Sequence, residues 1–312
     1  MIRLRARHIA IIVLLIVVGP VAIDRLLPAD PRQYQGVSLE ETVHTDVRFR
    51  NSSQNIDLAG MLFVPEGDGP VPAAVVIHGS GASNRENRWY LTLTKFLQDN
   101  GIAVLLPDKR GSEKSAGDWR TADFEELATD TLAALDFMLH QHLVEISRVG
   151  VIGMSQGGWI APIVARDSDD LAFVVNMVGS AVTPKEQLLY EEDHNIRQMG
   201  FLPGISYLIA LASTAHIRHV RMPQFYDRVA DYDPIPLWDA MAVNALVLYG
   251  SDDTNVPSEE SAARLQALDK ASIDIIIHEG SGHALQDPLG EGNDLIRDEA
   301  LAAIRDFILE MN

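Results

Sequence analysis

Cysteine is absent from the 312 residues, and basic side chains are scarce, with 25 Lys+Arg against 44 Asp+Glu. Without cysteine there are no disulfides, thiolate metal sites or cysteine nucleophiles. The formal net charge of −19 argues against nucleic acid as a partner, because such a partner needs a face rich in basic residues. Apolar residues make up 47% and charged residues 22%, which are the proportions of a globular chain rather than a disordered one.

Long apolar runs are also rare, and the clearest one lies at the start of the chain. Arg3, Arg5 and Arg7 precede an apolar run over residues 9–23. A basic front before such a run is typical of a secretory signal peptide or a single membrane anchor. We favour an uncleaved signal anchor at 1–30, with the arginines in the cytoplasm and one domain, 31–312, exported to a bacterial-type cell envelope. Cleavage of the segment would instead release a secreted protein.

From residue 43 onward, strand patterns alternate with helix patterns. The first two strands flank a turn at Asn51-Ser52-Ser53 and predict an antiparallel hairpin, whereas the later strands are continuous apolar runs. This alternation predicts an α/β fold with a mostly parallel central sheet and helices on both faces. Strands are predicted at residues 43–50, 56–64, 73–77, 102–106, 149–152, 173–178, 245–249 and 273–277, and helices at 124–140, 159–165 and 295–311.

Residues 181–242 interrupt this alternation. An insertion of roughly 60 residues without a strand pattern is too long for a connecting loop in a compact domain. We therefore predict a helical cap over the sheet, with an ordinary crossover carrying extra helices as the alternative.

A possible nucleophile lies between a predicted strand and a predicted helix. Residues 153–157 read Gly-Met-Ser-Gln-Gly and fit the pattern G-x-S-x-G. A strand–turn–helix setting is the one in which such a serine is exposed on a tight turn. Glycines at 153, 157 and 158 suit that turn, because strand and helix backbones nearly touch there. We therefore predict Ser155 as the nucleophile.

A serine hydroxyl needs a base and an acid that orients the base. His283 lies in a loop just past the last predicted strand, at the sheet edge where ligands bind in open α/β sheets. It is our preferred base, and His278 is the second candidate. Asp252 and Asp253 both follow the strand at 245–249; we prefer Asp253 as the acid and read Asp252 as a turn residue.

An acyl-transfer site also needs donors for the oxyanion. The backbone N–H of Gln156 is one candidate, since it opens the helix that follows the nucleophile. The other is the N–H of Ser80, in the His78-Gly79-Ser80-Gly81 loop after the first buried strand. In that loop Gly79 allows a tight turn, and His78 is read as a structural brace.

Together these features resemble the α/β-hydrolase superfamily, in particular its bacterial esterase and serine-aminopeptidase-like branch. The resemblance rests on the HGSG run at 78–81 with Asn84-Arg85, on DKRG at 108–111 and on SQGGWIAP at 155–162. It implies the α/β-hydrolase fold with an N-terminal hairpin and a cap, and it implies no metal and no cofactor. It also implies that Asp108 and Arg110 support the loop beside the site.

The leading hypothesis is a serine hydrolase that cleaves a small-molecule carboxylic ester through an acyl-enzyme, with no protein partner inferred. The same Ser-Asp-His triad in a peptidase is the alternative, with Glu191, Glu192 and Asp193 as a subsite for a free amine. A third hypothesis is an exported binding module without turnover. It is disfavoured, because such proteins usually lose a triad member and here all three residue types are present in order.

Overall fold

Eight strands form one sheet at the centre of the protein, which a computed structural model describes for residues 34–287 and 294–311. The strands are β1 Thr45–Asn51, β2 Ile56–Phe63, β3 Val71–Ile77, β4 Ala103–Pro107, β5 Ile146–Met154, β6 Leu171–Met177, β7 Asn244–Gly250 and β8 Ile273–His278. Their order across the sheet is β1-β2-β4-β3-β5-β6-β7-β8. β2 pairs antiparallel with both β1 and β4, and every later pair is parallel.

The predicted α/β fold is confirmed, and each predicted strand corresponds to a strand of the sheet. The ends differ by a few residues where pairing extends a strand beyond its apolar run. β5 is the clearest case, because it begins at Ile146, which pairs with Val71 across the sheet. The N-terminal antiparallel hairpin is β1–β2, with Asn51 paired to Ile56 around the turn.

The helices are α1 Arg88–Asp99, α2 Phe124–His140, α3 Gly157–Asp167, α4 Pro184–Gln198, α5 Pro203–His216, α6 Pro223–Val229, α7 Ile235–Ala240, α8 Ser258–Gln266 and α9 Asp298–Glu310. A 3₁₀ turn at Leu39–Glu41 precedes the sheet, and a π-helical turn at Ile217–Arg221 continues α5. The helix predicted at 124–140 is α2 with the same bounds. The predictions at 159–165 and 295–311 correspond to α3 and α9, with different ends.

Two helices, α1 and α8, were not predicted. For α1 the signal was available: Asn87 caps it by accepting a hydrogen bond from the Trp89 N–H, and Leu93 and Leu97 repeat at helical spacing on its buried side. For α8 the signal is weak, because two of its four buried residues, Ser258 and Ser261, are polar.

Helices pack on both faces of the sheet, as predicted. Successive residues of β3 alternate between the two cores: Ala73, Val75 and Ile77 face the core that includes α2 and α3. Ala74 and Val76 face the opposite core, which includes α1 and α9. The period of two that sends side chains to opposite faces therefore explains why β3 is apolar throughout.

Helices α4 to α7 and the π-helical turn occupy the chain between β6 and β7. Phe225, Val229 and Trp238 from this segment join the core on the α2–α3 side, so the segment is packed against the sheet layer. We call residues 181–242 the cap segment.

The signal segment predicted at 1–30 lies outside the described residues. Across residues 34–287 and 294–311, each helix is too short or too polar to cross a bilayer.

The turn from β5 into α3 brings three stretches of backbone into contact. A Cβ atom on Gly153 would lie 2.4 Å from the carbonyl oxygen of Gly157. A Cβ atom on Gly157 would lie 2.3 Å from the carbonyl oxygen of Ile77, at the end of β3. Both distances are far inside van der Waals contact, and the obstructing atoms are backbone. Glycine at these two positions therefore lets α3 start directly against β3.

We expect Gly157→Ala to lower the free energy of unfolding by about 1–3 kcal/mol or more, because the new methyl group overlaps backbone in a packed layer. Gly204→Ala is the matched control, since a Cβ there meets nothing within 4 Å and the position lies in the first turn of α5. Urea unfolding of both variants measures the difference. Equal stability of the two variants would contradict the close approach.

Candidate active site

Four loops meet at the carboxyl edge of the sheet. They follow β3, β5, β7 and β8, and they carry the 78–81 loop, Ser155, Asp253 and His283 respectively. These strands are parallel, so the loops that leave their carboxyl ends share one edge of the sheet. The sheet order thus brings together residues that are far apart in the sequence.

Ser155 lies on a strained turn between β5 and α3. Its φ angle is 52°, in the left-handed region that a serine seldom adopts. The turn is held by hydrogen bonds from the Ser155 N–H to the Met177 carbonyl (2.9 Å) and from the Gly158 N–H to the Ser155 carbonyl (2.8 Å). A strained backbone of this kind persists only where the surrounding structure fixes it. The sharp turn exposes the serine side chain in front of the helix.

His283 bridges the serine and one aspartate. Its Nε2 lies 3.0 Å from Ser155 Oγ, and its Nδ1 lies 2.8 Å from Asp253 Oδ2. Asp252, the other candidate acid, has an exposed side chain whose oxygen accepts from Ser251 Oγ at 3.2 Å. The structure therefore brings together Ser155, Asp253 and His283, and it leaves Asp252 outside the group.

The carboxylate of Asp253 is buried and fixed at both oxygens. Oδ1 accepts hydrogen bonds from the backbone N–H groups of Asn255 (2.8 Å) and Val256 (2.9 Å), which leaves Oδ2 for the imidazole. The Tyr190 hydroxyl in the cap segment donates to the Asp253 carbonyl at 2.8 Å. The acid is thus oriented by its own loop and tied to the cap segment.

The loop carrying His283 rests against α1. The Trp89 ring lies 5.8 Å from the His283 ring, centre to centre, and Trp89 Nε1 donates to the Ala284 carbonyl at 3.1 Å. The His283 side chain keeps 24% of its surface exposed, so the imidazole is accessible in part to solvent. Trp89 therefore supports the loop that carries His283 and leaves the imidazole partly exposed.

The two other histidines considered at the sheet edge have different environments. His78 Nε2 donates to the Pro107 carbonyl at 2.6 Å, and its ring packs 4.5 Å from that of Tyr90. Burial lowers the pKa of His78 to about 4, so the ring is neutral at physiological pH. Burial also lowers the pKa of His278. The histidine within hydrogen-bond distance of Ser155 Oγ is His283, not His278. The contacts of His78 are those of a brace.

The 78–81 loop passes beside the nucleophile. A Cβ atom on Gly79 would lie 3.3 Å from Ser155 Cβ, so this backbone runs against the serine. The Gly79 N–H donates to the Tyr90 hydroxyl at 2.8 Å. Among the described residues, the N–H groups of Ser80 and Gln156 donate to no other backbone carbonyl outside the regular elements. Ser80 follows Gly79 and Gln156 follows Ser155 in the chain, and their role as oxyanion donors stays a prediction.

Lys109 links the 78–81 loop to Gln156, the residue after the nucleophile. Its buried Nζ donates to the Gly79 carbonyl at 2.8 Å and to Gln156 Oε1 at 2.7 Å. The ammonium also lies 5.6 Å from the centre of the Trp119 ring. Burial lowers the pKa of Lys109 to about 7, and the negative charge of Asp130 acts in the opposite direction.

Asp108 and Arg110, on either side of Lys109, support the loop from outside the site. The buried Arg110 forms an ion pair with the half-buried Asp130 at 2.6 Å and donates to the Glu126 carbonyl, which ties the loop to α2. Asp108 accepts two 2.8 Å hydrogen bonds from Arg85. Both therefore brace the loop that carries Lys109.

The three acidic residues at 191–193 of the cap segment differ in their partners. Asp193 and Glu192 are engaged within the segment, by Arg197 (2.5 Å) and Ser213 respectively. Glu191 instead accepts a 3.5 Å hydrogen bond from the Asn255 side chain, in the loop of Asp253. Burial and the neighbouring charge of Glu192 raise the pKa of Glu191. One cap carboxylate therefore lies beside the acid loop.

Sequence reasoning missed Trp89, Tyr90 and Lys109. Lys109 was noted only as part of the DKRG run, although it lies three residues past the end of the strand predicted at 102–106, at the same edge of the sheet. Trp89 and Tyr90 belong to α1, which was not predicted. Trp89 supports the histidine loop and Tyr90 supports Gly79.

The chain matches two family models. Residues 132–290, just over half of the chain, match the family described as BAAT / Acyl-CoA thioester hydrolase C terminal. Residues 58–201 match the Dienelactone hydrolase family.

Among curated proteins, Esterase EstD of Thermotoga maritima is 23% identical, over 73% of this chain and 58% of the relative. The peroxisomal succinyl-coenzyme A thioesterase of Mus musculus is 24% identical, over 73% of this chain and 52% of the relative. The chain thus spans about half the length of the curated relatives it matches.

Solved structures share the fold. The Pyrococcus furiosus esterase Pf2001 superposes with a TM-score of 0.65 at 18% identity, covering 90% of this chain and 97% of that one. Est1E of Butyrivibrio proteoclasticus, solved with ferulic acid, gives 0.59 at 19% identity, covering 85% and 98%. The chain belongs to the α/β-hydrolase superfamily and, within it, to the BAAT / acyl-CoA thioester hydrolase C-terminal family.

Proposed function

We propose that this protein is a serine hydrolase that cleaves a carboxylic ester through an acyl-enzyme intermediate. The observation that carries the proposal is the position of His283, whose two ring nitrogens lie 3.0 Å from Ser155 Oγ and 2.8 Å from Asp253 Oδ2. A base within hydrogen-bond reach of a hydroxyl, itself oriented by a carboxylate, is the arrangement that nucleophilic catalysis by serine requires.

In the first half-reaction, Ser155 Oγ attacks the ester carbonyl while His283 Nε2 takes the hydroxyl proton. Asp253 keeps the proton of the imidazole on Nδ1, so that Nε2 can accept, and it stabilises the imidazolium that forms. The carbon–oxygen bond to the alcohol then breaks, and the alcohol leaves with the proton from His283. The acyl group remains on Ser155.

In the second half-reaction, water attacks the acyl group, His283 takes a proton from it, and the carboxylic acid departs as Ser155 regains its proton. Each step passes through a tetrahedral oxyanion. The N–H groups of Ser80 and Gln156 are the proposed donors to it, and the start of α3 adds the positive end of a helix dipole.

For the substrate we favour an uncharged ester over an acyl-coenzyme A. The chain carries a net charge of −19, and Glu191 lies beside the loop of Asp253. A polyanionic leaving group would be repelled by that field. Thioester hydrolysis is the second candidate, and the match to an acyl-CoA thioester hydrolase family favours it. An amide substrate is less favoured, because Glu192 and Asp193 are engaged within the cap segment.

Export of the protein, with attachment through residues 1–30, stays a prediction that rests on the arginines and the apolar run described above.

Replacement of the nucleophile tests the proposal most directly. We expect Ser155→Ala to reduce hydrolysis of p-nitrophenyl butyrate by about 10⁴-fold or more and to abolish labelling by a fluorophosphonate. Ser52→Ala, which changes an exposed turn serine, is the control and should retain both. Labelling or turnover that persists in Ser155→Ala would refute the assignment.

The two adjacent aspartates provide a matched pair. Asp253→Asn should lower kcat by about 10²- to 10⁴-fold, because the amide can donate to Nδ1 and so favours the wrong tautomer. Asp252→Asn, which alters an exposed side chain, should leave kcat within about twofold. Steady-state kinetics on one ester compares kcat of the two variants. A larger loss of kcat in Asp252→Asn than in Asp253→Asn would show that Asp252 is the acid.

A comparison of substrates tests the preferred class. We expect kcat/KM for p-nitrophenyl butyrate to exceed that for butyryl-coenzyme A by at least about tenfold, and the ratio to shrink as salt screens the repulsion. An aminoacyl naphthylamide should be slower than both. A higher kcat/KM for the thioester would establish the second candidate instead.

A further inference from the structure

Lys109 is a buried lysine with no role in the proton transfers described above. It lies two residues past the end of β4, and its Nζ contacts both the 78–81 loop and the residue before α3. Removing an ammonium group from water is unfavourable unless its new contacts compensate. A methionine of similar length could occupy such a position without that cost, so the contacts that a lysine makes there require an explanation.

The first contact acts on the peptide unit between Gly79 and Ser80. This peptide is trans and planar, so its carbonyl and its N–H point in opposite directions. Lys109 Nζ holds the carbonyl of Gly79 at 2.8 Å, and the Tyr90 hydroxyl holds the N–H of the same residue at 2.8 Å. Fixing the carbonyl end fixes the direction of the Ser80 N–H, which is one of the two proposed oxyanion donors.

The second contact acts on the other donor. Lys109 Nζ holds Gln156 Oε1 at 2.7 Å, and the backbone N–H of Gln156 is the second donor. Lysine has no acceptor atom, so both hydrogen bonds run from Nζ outward. The ammonium and the neutral amine both carry the two N–H groups that are needed, so the arrangement holds in either protonation state.

The backbone of Lys109 is fixed to the same loop. Its N–H donates to Ser83 Oγ at 3.0 Å, and the Ser83 N–H donates to Ser112 Oγ at 3.2 Å. The side chain therefore extends from a backbone that is already fixed relative to the 78–81 loop.

We infer that Lys109 is a positioning residue of the oxyanion hole, whose single Nζ sets the spacing and direction of the Ser80 and Gln156 N–H groups. The inference rests on the proposed function. Loss of one preorganised oxyanion donor typically costs 10²- to 10³-fold in rate, so misplacement of both is expected to be measurable. Because the donors act on the transition state, the loss should fall on kcat more than on KM.

Lys109→Met tests the inference, with Lys114→Met as the matched control: Lys114 is an exposed lysine of the same loop, paired with Asp46. Both are made in the full chain. A butyl boronic acid serves as the probe, because it forms a tetrahedral adduct on the serine that needs the same two donors. We expect Lys109→Met to lower kcat about 30- to 300-fold and to raise the boronate Kd at least tenfold, with KM within threefold and Lys114→Met unchanged.

The boronate Kd separates positioning from a structural role. A brace that only stabilises the loop would lower the melting temperature without weakening the adduct at a temperature where the variant is folded. A rise in Kd of less than tenfold for folded Lys109→Met overturns the inference. If that variant does not fold, Gln156→Met replaces it, since this change removes one of the two contacts and keeps Lys109 in place; a rise of less than threefold then overturns it.

Ser155→Ala distinguishes this failure from failure of the proposed function. If Ser155→Ala is inactive while Lys109→Met binds the boronate normally, only the role of Lys109 falls. If Ser155→Ala retains activity, the proposed function falls and the inference falls with it.

Discussion

The site depends on the close approach of three backbones where β5 turns into α3. The first turn of α3 lies directly against the end of β3: a Cβ atom added to Gly157 would lie only 2.3 Å from the carbonyl oxygen of Ile77. That contact puts the loop following β3 beside the loop following β5. At the same turn Ser155 has a φ angle of 52°, a strained value that persists only where the surrounding structure fixes it. This close approach sets the neighbourhood of the nucleophile and of both proposed oxyanion donors. It also brings Gly79 and Gln156 near enough for Lys109 Nζ to contact both.

Much of the fold could be predicted because its signals are local. The apolar run at 73–77 is continuous, since β3 is covered on both faces, and α2 has the same bounds as its apolar period. The nucleophile was recognisable for the same reason: its glycines and the strand before it are neighbours in sequence. Between the two adjacent aspartates the sequence supported only a preference, for Asp253 over Asp252, and His283 lies against Asp253. The two aspartates differ in which side chain turns into the protein after β7, and that depends on the path of the loop back to the sheet edge.

The residues that support the site were not predictable, because their partners are distant in sequence. Trp89 and Tyr90 are adjacent on α1, yet one contacts the histidine loop and the other contacts Gly79. Lys109 reads as one more charged residue in a polar loop until the sheet order places β4 next to β3. An alternation pattern predicts that a strand is buried, but it does not predict which strand lies beside it. The supporting contacts depend on that neighbour relation.

Two buried bases in this region show how burial divides their tasks. Burial lowers the pKa of His78 to about 4, and as a neutral ring it can donate to the Pro107 carbonyl without adding a second positive charge near Lys109. Lys109 is buried as well, and burial lowers the pKa of its amine to about 7. The Lys109 amine contacts the Gly79 carbonyl and Gln156 Oε1, next to the proposed oxyanion donors, whereas His78 contacts Pro107 and Tyr90. Burial therefore leaves His78 as a neutral brace of the strand end, while the contacts of Lys109 reach the two residues that border the proposed donors.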